Sequence, residues 1–340
     1  MTNLDSAPAS PKGGKDQARL ADYIRIARFD HMTKHVFIVP GIVLALLLRG
    51  YPENTGIGPL FWMMLVGFVA AVFVASANYV INEWLDRDFD RFHPEKSQRA
   101  AVQREMSGKI VLLEWAVLLI LGLGLATLVN ITFFWAALLL AISGVTYNVM
   151  PVRTKDRMYL DVLSESLNNP LRLLMGWAMI DGTSLPPASL MLAFWFAFLM
   201  NSKRLAEYRD IVASDGREIL GRYRRSFRSY TEARLSVANL VYALSCAFFM
   251  AIFLIKYRIE YVLLFPCIVL LFAVYYALAL TPDSVARKPE KLYRAKPLIG
   301  AVIVTSVLFV VLTFLDMPVL EALTSQRFIE IGPMTPVAGQ

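Results

Sequence analysis

Long apolar runs alternate with charged segments along most of this 340-residue chain. Nine runs are candidate membrane-spanning helices: 36–48, 60–81, 110–129, 131–147, 162–180, 188–200, 235–255, 261–280 and 297–315. The first and sixth runs are short for a hydrocarbon core of about 30 Å, so they need tilt or flanking turns to cross it. Eight to ten spans stay possible. The pattern predicts an all-α polytopic membrane protein with about nine transmembrane helices in one bundle.

The composition supports a membrane setting, because 57% of the residues are hydrophobic and the mean hydropathy is +0.52. Of the 34 Lys and Arg residues, 29 fall in the N-terminal segment and in the segments after the second, fourth, sixth and eighth runs. The positive-inside rule therefore predicts a multi-pass protein of the cell (inner) membrane, with its N-terminus and long loops cytoplasmic and its C-terminus outside. The net charge of +7 is explained by this topology, so nucleic acid is not implied.

Three segments are expected along the chain. Residues 1–20, rich in Ser, Pro, Gly and Lys and without the pattern of a cleaved signal peptide, are typical of a disordered cytosolic tail. Residues 21–320 would form the transmembrane catalytic domain, and residues 321–340 a C-terminal tail. The sequence does not indicate an oligomeric state.

An acidic motif closes the second apolar run. Asn82, Asp86 and Asp90 follow one another at helical spacing, so their oxygens share one face, whereas Asp88 points away. Three hard oxygen ligands suit Mg²⁺ that is shared with a phosphorylated substrate. A solvated helix end is the usual alternative for two Asp residues four apart. The position at the end of a membrane span favours the metal site.

Two further polar patterns flank the later spans. Lys203 and Arg204 each lie about one turn before Glu207 as the sixth helix leaves the membrane. The arginines of the next loop alternate with aromatic residues, which favours either a helix lying on anionic lipid or a phosphate cradle. These loop residues are Tyr223, Arg224, Arg225, Phe227, Arg228 and Tyr230.

Ionisable and amide side chains also occur inside the fifth span, where a charge is costly unless it faces water or a partner. Glu165, Asn168, Asn169 and Arg172 are spaced to lie on one stripe, with Pro170 expected to open the helix locally. They predict a polar cavity in the bundle. A purely structural pair between Glu165 and Arg172 is the alternative.

The segment from Asn82 to Lys96 (NEWLDRDFDRFHPEK) resembles the NDxxDxxxD signature, with its trailing D-R-x-x-P-x-K, of the UbiA superfamily of intramembrane prenyltransferases. Nine helices with long loops after the second and sixth are similar to that fold. Within the superfamily, the chain most resembles the decaprenyl-phosphate phosphoribosyltransferases. The residues that carry this likeness are Lys34, Lys155, Asp161, Arg172, the run from Lys203 to Glu207, and the stretch YRRSFRSYT that ends at Thr231.

The chain departs from the family pattern in three places. Glu83 stands where relatives generally carry Asp, and residues 99–108 replace an R-P-x-x-x-G segment. The second aspartate-rich motif of the aromatic prenyltransferases is missing from the end of the sixth span, where Lys203, Arg204, Glu207 and Asp210 stand instead. A cationic element in place of an acidic one suits two anionic substrates.

The resemblance implies a reaction in which the phosphate of a polyprenyl phosphate attacks the anomeric carbon of 5-phosphoribosyl diphosphate and pyrophosphate leaves. Asp86, Asp90 and Lys96 would be the catalytic groups, with Mg²⁺ held by Asn82, Asp86 and Asp90 and with Glu83 as a helper. Tyr147 is expected to be an interface anchor. The candidate substrate-binding residues are Lys34, Arg91, Lys155, Arg172, Lys203, Arg204 and Glu207.

Two other functions stay open. The first is prenyl transfer from a polyprenyl diphosphate to an aromatic or other acceptor, which the superfamily resemblance supports and the missing second aspartate motif opposes. The second is a non-enzymatic carrier. The spans do not form a matching pair broken by Gly or Pro in two halves, which argues against a carrier.

Overall fold

The computed structural model describes residues 16–30, 35–52, 55–92, 96–282, 284–287, 292 and 294–324. Lys34, His93 and most of the two predicted tails lie outside these residues. The regular secondary structure of the described part is helical apart from one isolated bridge between Gln17 and Glu105. Because Asp16 and Ala18 pair with the backbone of Glu105, the folded part begins before the predicted boundary at residue 21.

The helices of the first half are α1 (Leu20–Ile26), α2 (Ile38–Arg49), α3 (Ile57–Asp90), α4 (Ala100–Gln103), α5 (Gly108–Val129), α6 (Ile131–Asn148) and α7 (Leu160–Ser166). Those of the second half are α8 (Asn168–Ala178), α9 (Ala188–Trp195), α10 (Phe198–Asp215), α11 (Leu220–Tyr223), α12 (Glu232–Tyr257), α13 (Phe265–Leu280), α14 (Lys296–Phe314) and α15 (Pro318–Thr324). Short 3-10 turns, including Lys96–Gln98, Thr154–Asp156 and Arg225–Arg228, connect several of them.

Six helices among the described residues are long and apolar enough to cross a membrane: α3, α5, α6, α12, α14, and α13 together with the turn before it. They correspond to six of the nine predicted spans. Large apolar side chains on α12 and α14, such as Leu244 and Val307, face outward as expected for contact with lipid. The predicted count of nine is not confirmed, because the other three runs do not form helices that are both long and apolar enough to cross a membrane.

Those three runs are short or interrupted. The first run forms α2, which has only 12 residues. The fifth run is divided at Leu167 into α7 and α8, close to Pro170, whose ring nitrogen cannot donate to the carbonyl one turn earlier. The sixth run is divided between Trp195 and Phe198 into α9 and α10, and α10 continues well beyond the run to Asp215.

Two glycines allow α2 and α8 to approach each other closely. A Cβ atom added at Gly41 would lie 2.1 Å from the Leu173 carbonyl oxygen, and one added at Gly176 would lie 2.0 Å from the Ile38 carbonyl oxygen. Only hydrogen fits at either position, so the two backbones touch. The contact fixes α8, with its polar side chains, against the core formed by α3 and α6.

Candidate active site

A cavity of about 1140 Å³ lies between α3, α6, α7, α8 and α10, and the loops after α3 and α11 complete its wall. Its described lining is strongly polar, with eight Lys or Arg side chains against six Asp or Glu side chains. The predicted site residues in this lining are Asn82, Glu83, Asp86, Lys96, Arg172, Lys203 and Glu207. A cavity with this charge balance is suited to anionic ligands.

The acidic motif occupies the last turns of α3, as predicted. The Oδ1 atom of Asp86 accepts hydrogen bonds from Lys155 Nζ at 2.5 Å and from Arg153 Nη2 at 2.9 Å. Asp90, at the end of the helix, is buried and pairs with Arg99. Asp86 is close enough to Asp90 for their charges to interact. The helical spacing therefore brings these carboxylates together.

The outer side of the same helix end carries a second, exposed pair. Asp88 points away from the cavity, as predicted, and binds Arg91. Arg91 was expected to contact the diphosphate, but its side chain is exposed and directed to Asp88 because it lies on the opposite side of the helix end. The expected substrate role of Arg91 is therefore not supported by its position.

Glu83 is 3% exposed and accepts a hydrogen bond from Arg28 Nε at 2.8 Å. Both side chains line the cavity. Arg28 belongs to the segment after α1, so this ion pair holds the N-terminal segment against α3. The carboxylate that departs from the family pattern thus has a protein partner, and its role as a helper to the metal remains a prediction.

The altered loop after α3 still supplies cations to the cavity. Lys96 and Arg99 both line it. Burial lowers the pKa of Lys96 to about 8, against the opposing effect of the Glu207 and Asp90 carboxylates. The charges of Asp90 on α3 and of Glu207 on α10 therefore both act on Lys96.

Arg204 is completely buried and is surrounded by carboxylates. Its Nη2 atom donates to Glu165 at 2.8 Å, its Nη1 atom pairs with Glu207, and its Nε atom lies 3.4 Å from Asp161. Arg204 was predicted to bind substrate phosphate, but all three guanidinium nitrogens face protein carboxylates, so its position does not support that role. Lys203, its neighbour, does line the cavity.

Tyr147, Asn148 and Arg224 line the cavity although they are not among the predicted site residues. Arg224 follows α11 in an extended conformation and donates to the Tyr147 hydroxyl at 3.2 Å, and that hydroxyl donates to Glu165 at 3.2 Å. Tyr147 was expected to be an interface anchor, but its hydroxyl lies in the cavity instead. The alternation of arginines and aromatic residues around Arg224 could have indicated its place in the cavity, but the same pattern is also typical of a helix lying on lipid.

The part of the cavity that lies deepest in the bundle contains an unusual cation. Arg172 is 8% exposed, interacts with Tyr79, and has an Nε atom without a hydrogen-bond partner among the described residues. The structural Glu165–Arg172 pair is not formed, because the break at Leu167 separates the two and Glu165 binds Lys203 and Arg204. Within the described part of the chain, Arg172 therefore faces a cavity rather than a carboxylate.

The donor set fits a magnesium ion shared with a ligand better than a metal held by protein alone. The described residues contain no group of three His, Cys, Asp or Glu side chains arranged to hold a metal. Asn82, Asp86 and Asp90 nevertheless supply oxygens from one helix, and Asp86 uses the same oxygen, Oδ1, for both Lys155 and Arg153. Mg²⁺ typically binds one or two carboxylates plus substrate phosphates, so this arrangement suits it.

Comparison with known proteins gives concordant results. The profile of the UbiA prenyltransferase family matches residues 37–298. The chain is 28% identical over 148 residues to a 4-hydroxybenzoate octaprenyltransferase of Cupriavidus metallidurans, covering 43% of this chain and 46% of that protein. It is 26% identical over 216 residues to a protoheme IX farnesyltransferase of Alkalihalophilus pseudofirmus, covering 61% and 66%. The alignments thus span about half to two thirds of these relatives.

The fold is also similar to that of a solved protein. A UbiA homolog from Archaeoglobus fulgidus, bound to GPP and Mg²⁺, superposes with a TM-score of 0.62 at 22% sequence identity. The match covers 84% of this chain and 99% of that one. The two proteins share the arrangement of helices over most of their length.

Proposed function

Because the chain belongs to the UbiA prenyltransferase family, we propose that it is an Mg²⁺-dependent intramembrane transferase that moves 5-phosphoribosyl from phosphoribosyl diphosphate to a polyprenyl phosphate. Its product would be an envelope lipid precursor, with pyrophosphate released. The family membership supports the transferase class. The choice of two anionic substrates rests on the cavity itself.

The observation that carries this choice is the presence of two cationic regions in one cavity. One surrounds the acidic motif and includes Lys96, Lys203 and Arg224. The other is Arg172, which interacts with Tyr79 on α3. Tyr79 lies two turns before Asp86, which is roughly 10 Å along the helix axis. A buried guanidinium without a facing carboxylate is costly in a membrane, and an anionic ligand would offset that cost.

The magnesium part of the proposal rests on the donor set and on a relative. Asn82, Asp86 and Asp90 are the proposed ligands, with the diphosphate completing the coordination. The similar Archaeoglobus protein is bound to GPP and Mg²⁺. When bound, the metal would neutralise the charge that builds on the leaving pyrophosphate.

The residues of this chain would act by positioning and charge stabilisation. Lys96, Lys203 and Arg224 would bind the diphosphate, while Arg172 would bind a second anionic group, from either the lipid phosphate or the 5-phosphate. A phosphate oxygen of the lipid forms a bond to the anomeric carbon as the bond to pyrophosphate breaks. The attacking oxygen already carries negative charge at neutral pH, so no general base is required. Lys34 lies outside the described residues, and a substrate role for it remains a proposal.

The residues that hold the cavity walls would contribute indirectly. Arg204 keeps the Glu165 and Glu207 carboxylates fixed, so that Lys203 and Lys96 have constant partners. Lys155 would reach a phosphate only by leaving Asp86. We therefore assign Lys155 first to the support of Asp86.

Prenyl transfer from a polyprenyl diphosphate is the second candidate. It is favoured by the names of the curated relatives, an octaprenyltransferase and a farnesyltransferase. In that reaction the acceptor would be neutral at the reacting atom, and Arg172 could bind only an acidic substituent of it. The two candidates therefore differ in what the cation-rich cavity must hold.

One experiment separates them. Purified protein in lipid nanodiscs would receive radiolabelled phosphoribosyl diphosphate with polyprenyl phosphate, or labelled polyprenyl diphosphate with 4-hydroxybenzoate. Label from the sugar donor should enter the organic phase, and Asp86→Asn should prevent this. Prenylated benzoate with no transfer from the sugar donor would establish the second candidate instead.

The proposed orientation has its own test. Since the sugar donor is cytosolic, the loop containing Ser97 and that containing Ser214 should lie in the cytosol. Cysteines placed there should react with a membrane-impermeant thiol reagent only after the cells are permeabilised. A cysteine at Thr55, between α2 and α3, should react in intact cells. Labelling of the Ser97 position in intact cells would contradict the proposed orientation.

A further inference from the structure

Asn148, the last residue of α6, is 2% exposed and yet contacts the acidic motif. Its Nδ2 atom donates to the Gly144 carbonyl oxygen at 2.8 Å, one helical turn earlier. A carbonyl oxygen only accepts hydrogen bonds, so this contact fixes which side of the Asn148 amide is nitrogen. The Oδ1 atom must then face the opposite way, towards α3 and Lys155.

Two donors bind that oxygen. Lys155 Nζ donates to Asn148 Oδ1 at 2.7 Å, and Asn82 Nδ2 donates to it at 2.5 Å. An ammonium group only donates, so Lys155 fixes the same amide orientation independently. Since Asn148 presents an acceptor, Asn82 must direct its own nitrogen towards it, and the Asn82 Oδ1 atom is turned to the other side.

The orientation of Asn82 matters because only one end of its amide can bind a cation. An amide oxygen is a suitable ligand for Mg²⁺, whereas an amide NH₂ group repels it. If Asn82 were free to rotate by half a turn, a large share of molecules would present nitrogen to the metal. The hydrogen bond from Asn82 Nδ2 to Asn148 Oδ1 disfavours that orientation.

Asn148 also keeps the cations of Asp86 on one oxygen. Lys155 Nζ donates to both Asn148 Oδ1 and Asp86 Oδ1. Arg153 donates from Nη1 to the backbone carbonyl oxygen of Asn148 at 2.8 Å and from Nη2 to Asp86 Oδ1. Both cations thus bind the same oxygen of Asp86. The Oδ2 atom of Asp86 takes part in neither of these contacts.

We infer that Asn148 is a positioning residue for the metal site, since it turns the Asn82 oxygen towards the cation and holds Lys155 and Arg153 on a single oxygen of Asp86. This inference rests on the proposed function only in taking Asn82 and Asp86 as metal ligands. It does not depend on which substrates react.

The test measures metal binding directly, using Mn²⁺ with inorganic pyrophosphate and the electron paramagnetic resonance signal of free Mn²⁺. Asn148→Leu removes the acceptor at similar volume and should weaken Mn²⁺ binding about tenfold, the effect expected from losing one orienting hydrogen bond. The same substitution is then made in an Asn82→Asp background. A carboxylate has two equivalent oxygens and needs no orientation, so Asn148→Leu should cost less than about threefold there.

A structural role alone predicts a different result, because damage to the helix packing would weaken binding equally in both backgrounds. Equal losses in the two backgrounds would overturn the inference, as would wild-type protein that binds no Mn²⁺ with pyrophosphate present. If Asn148→Leu does not yield folded protein, Asn148→Ser replaces it, because the serine side chain is too short to reach Asn82. The same unequal losses in the two backgrounds are then expected. A protein that fails the phosphoribosyl-transfer assay but gives unequal losses would refute the substrates and leave the inference standing.

Discussion

Arg204 and Lys203 are neighbours in sequence, but removal of the charge should affect folding at Arg204 and substrate binding at Lys203. Arg204→Met should prevent stable folding, whereas Lys203→Met should yield a folded protein with weakened substrate binding. Methionine keeps most of the length of either side chain, so the comparison isolates the charge. The contrast follows from burial, since Arg204 is 0% exposed and Lys203 is partly exposed.

The expected losses of stability follow from the carboxylates that lose a cation in each variant. Without Arg204, the completely buried Asp161 and the neighbouring Glu165 and Glu207 lose their nearest cation. Breaking a buried ion pair by removing one partner costs about 3–5 kcal/mol. Proteins have a total stability of about 5–15 kcal/mol, so much of the folded population would be lost. The ion pair that the described residues offer Lys203 is with Glu165 at 3.3 Å, and Glu165 keeps Arg204, so the loss of Lys203 should cost at most about 1 kcal/mol.

The assay compares yield, monodispersity on size exclusion and thermal unfolding of the two variants in the same detergent. Arg204→Met should aggregate or unfold at a clearly lower temperature than wild type, and Lys203→Met should behave like wild type. Kinetics on the folded Lys203→Met protein should show a KM for the diphosphate raised roughly 10- to 150-fold, the loss of a charge-assisted hydrogen bond. If Arg204→Met unfolded at the temperature of Lys203→Met, the carboxylate cluster would not depend on Arg204 as described.

Three further predictions concern the cavity. Asp86→Asn, which keeps an acceptor for Lys155, should reduce turnover below about 1% of wild type, because the stabilisation by a metal ion is worth several kcal/mol. The control Asp88→Asn, on the outer side of the helix, should leave initial rates unchanged. Lys96 is a cation below its pKa of about 8 and loses its charge above it, so the KM for the diphosphate should rise above pH 8 in wild type but stay flat in Lys96→Arg. Arg172→Gln should raise the KM for one anionic substrate roughly 10- to 150-fold and leave the other near wild type, and equal effects on both would contradict a separate subsite.

The helical spacing of the acidic motif was sufficient to predict its geometry. Asn82, Asp86 and Asp90 lie on one helix, and Asp88 faces outward with Arg91. This prediction held because it depends only on the period of an α-helix, which local sequence sets. Six of the nine predicted spans are long apolar helices for the same reason.

Features that depend on packing between distant segments could not be predicted in this way. The spacing of Lys203 and Arg204 places them on adjacent faces of α10, but only the positions of Asp161 and Glu165 on α7 decide which of them is enclosed. Arg224 reaches the cavity from an extended residue between two short turns, and no periodic pattern describes that backbone. The division of the sixth run before Phe198 likewise leaves no clear mark in the sequence.

The close contact of α2 with α8 at Gly41 and at Gly176 has a consequence for mutational genetics. Alanine at either position would push α2 away from α8, and α8 carries Arg172 and the amides at the cavity floor. A saturation screen that scores growth or product would therefore rank both glycines among the most intolerant sites of the chain. Neither glycine has a side chain with which to meet a substrate. Intolerance at these two sites would therefore report the spacing of two backbones, and a map of active-site residues drawn from such a screen would need to leave them out.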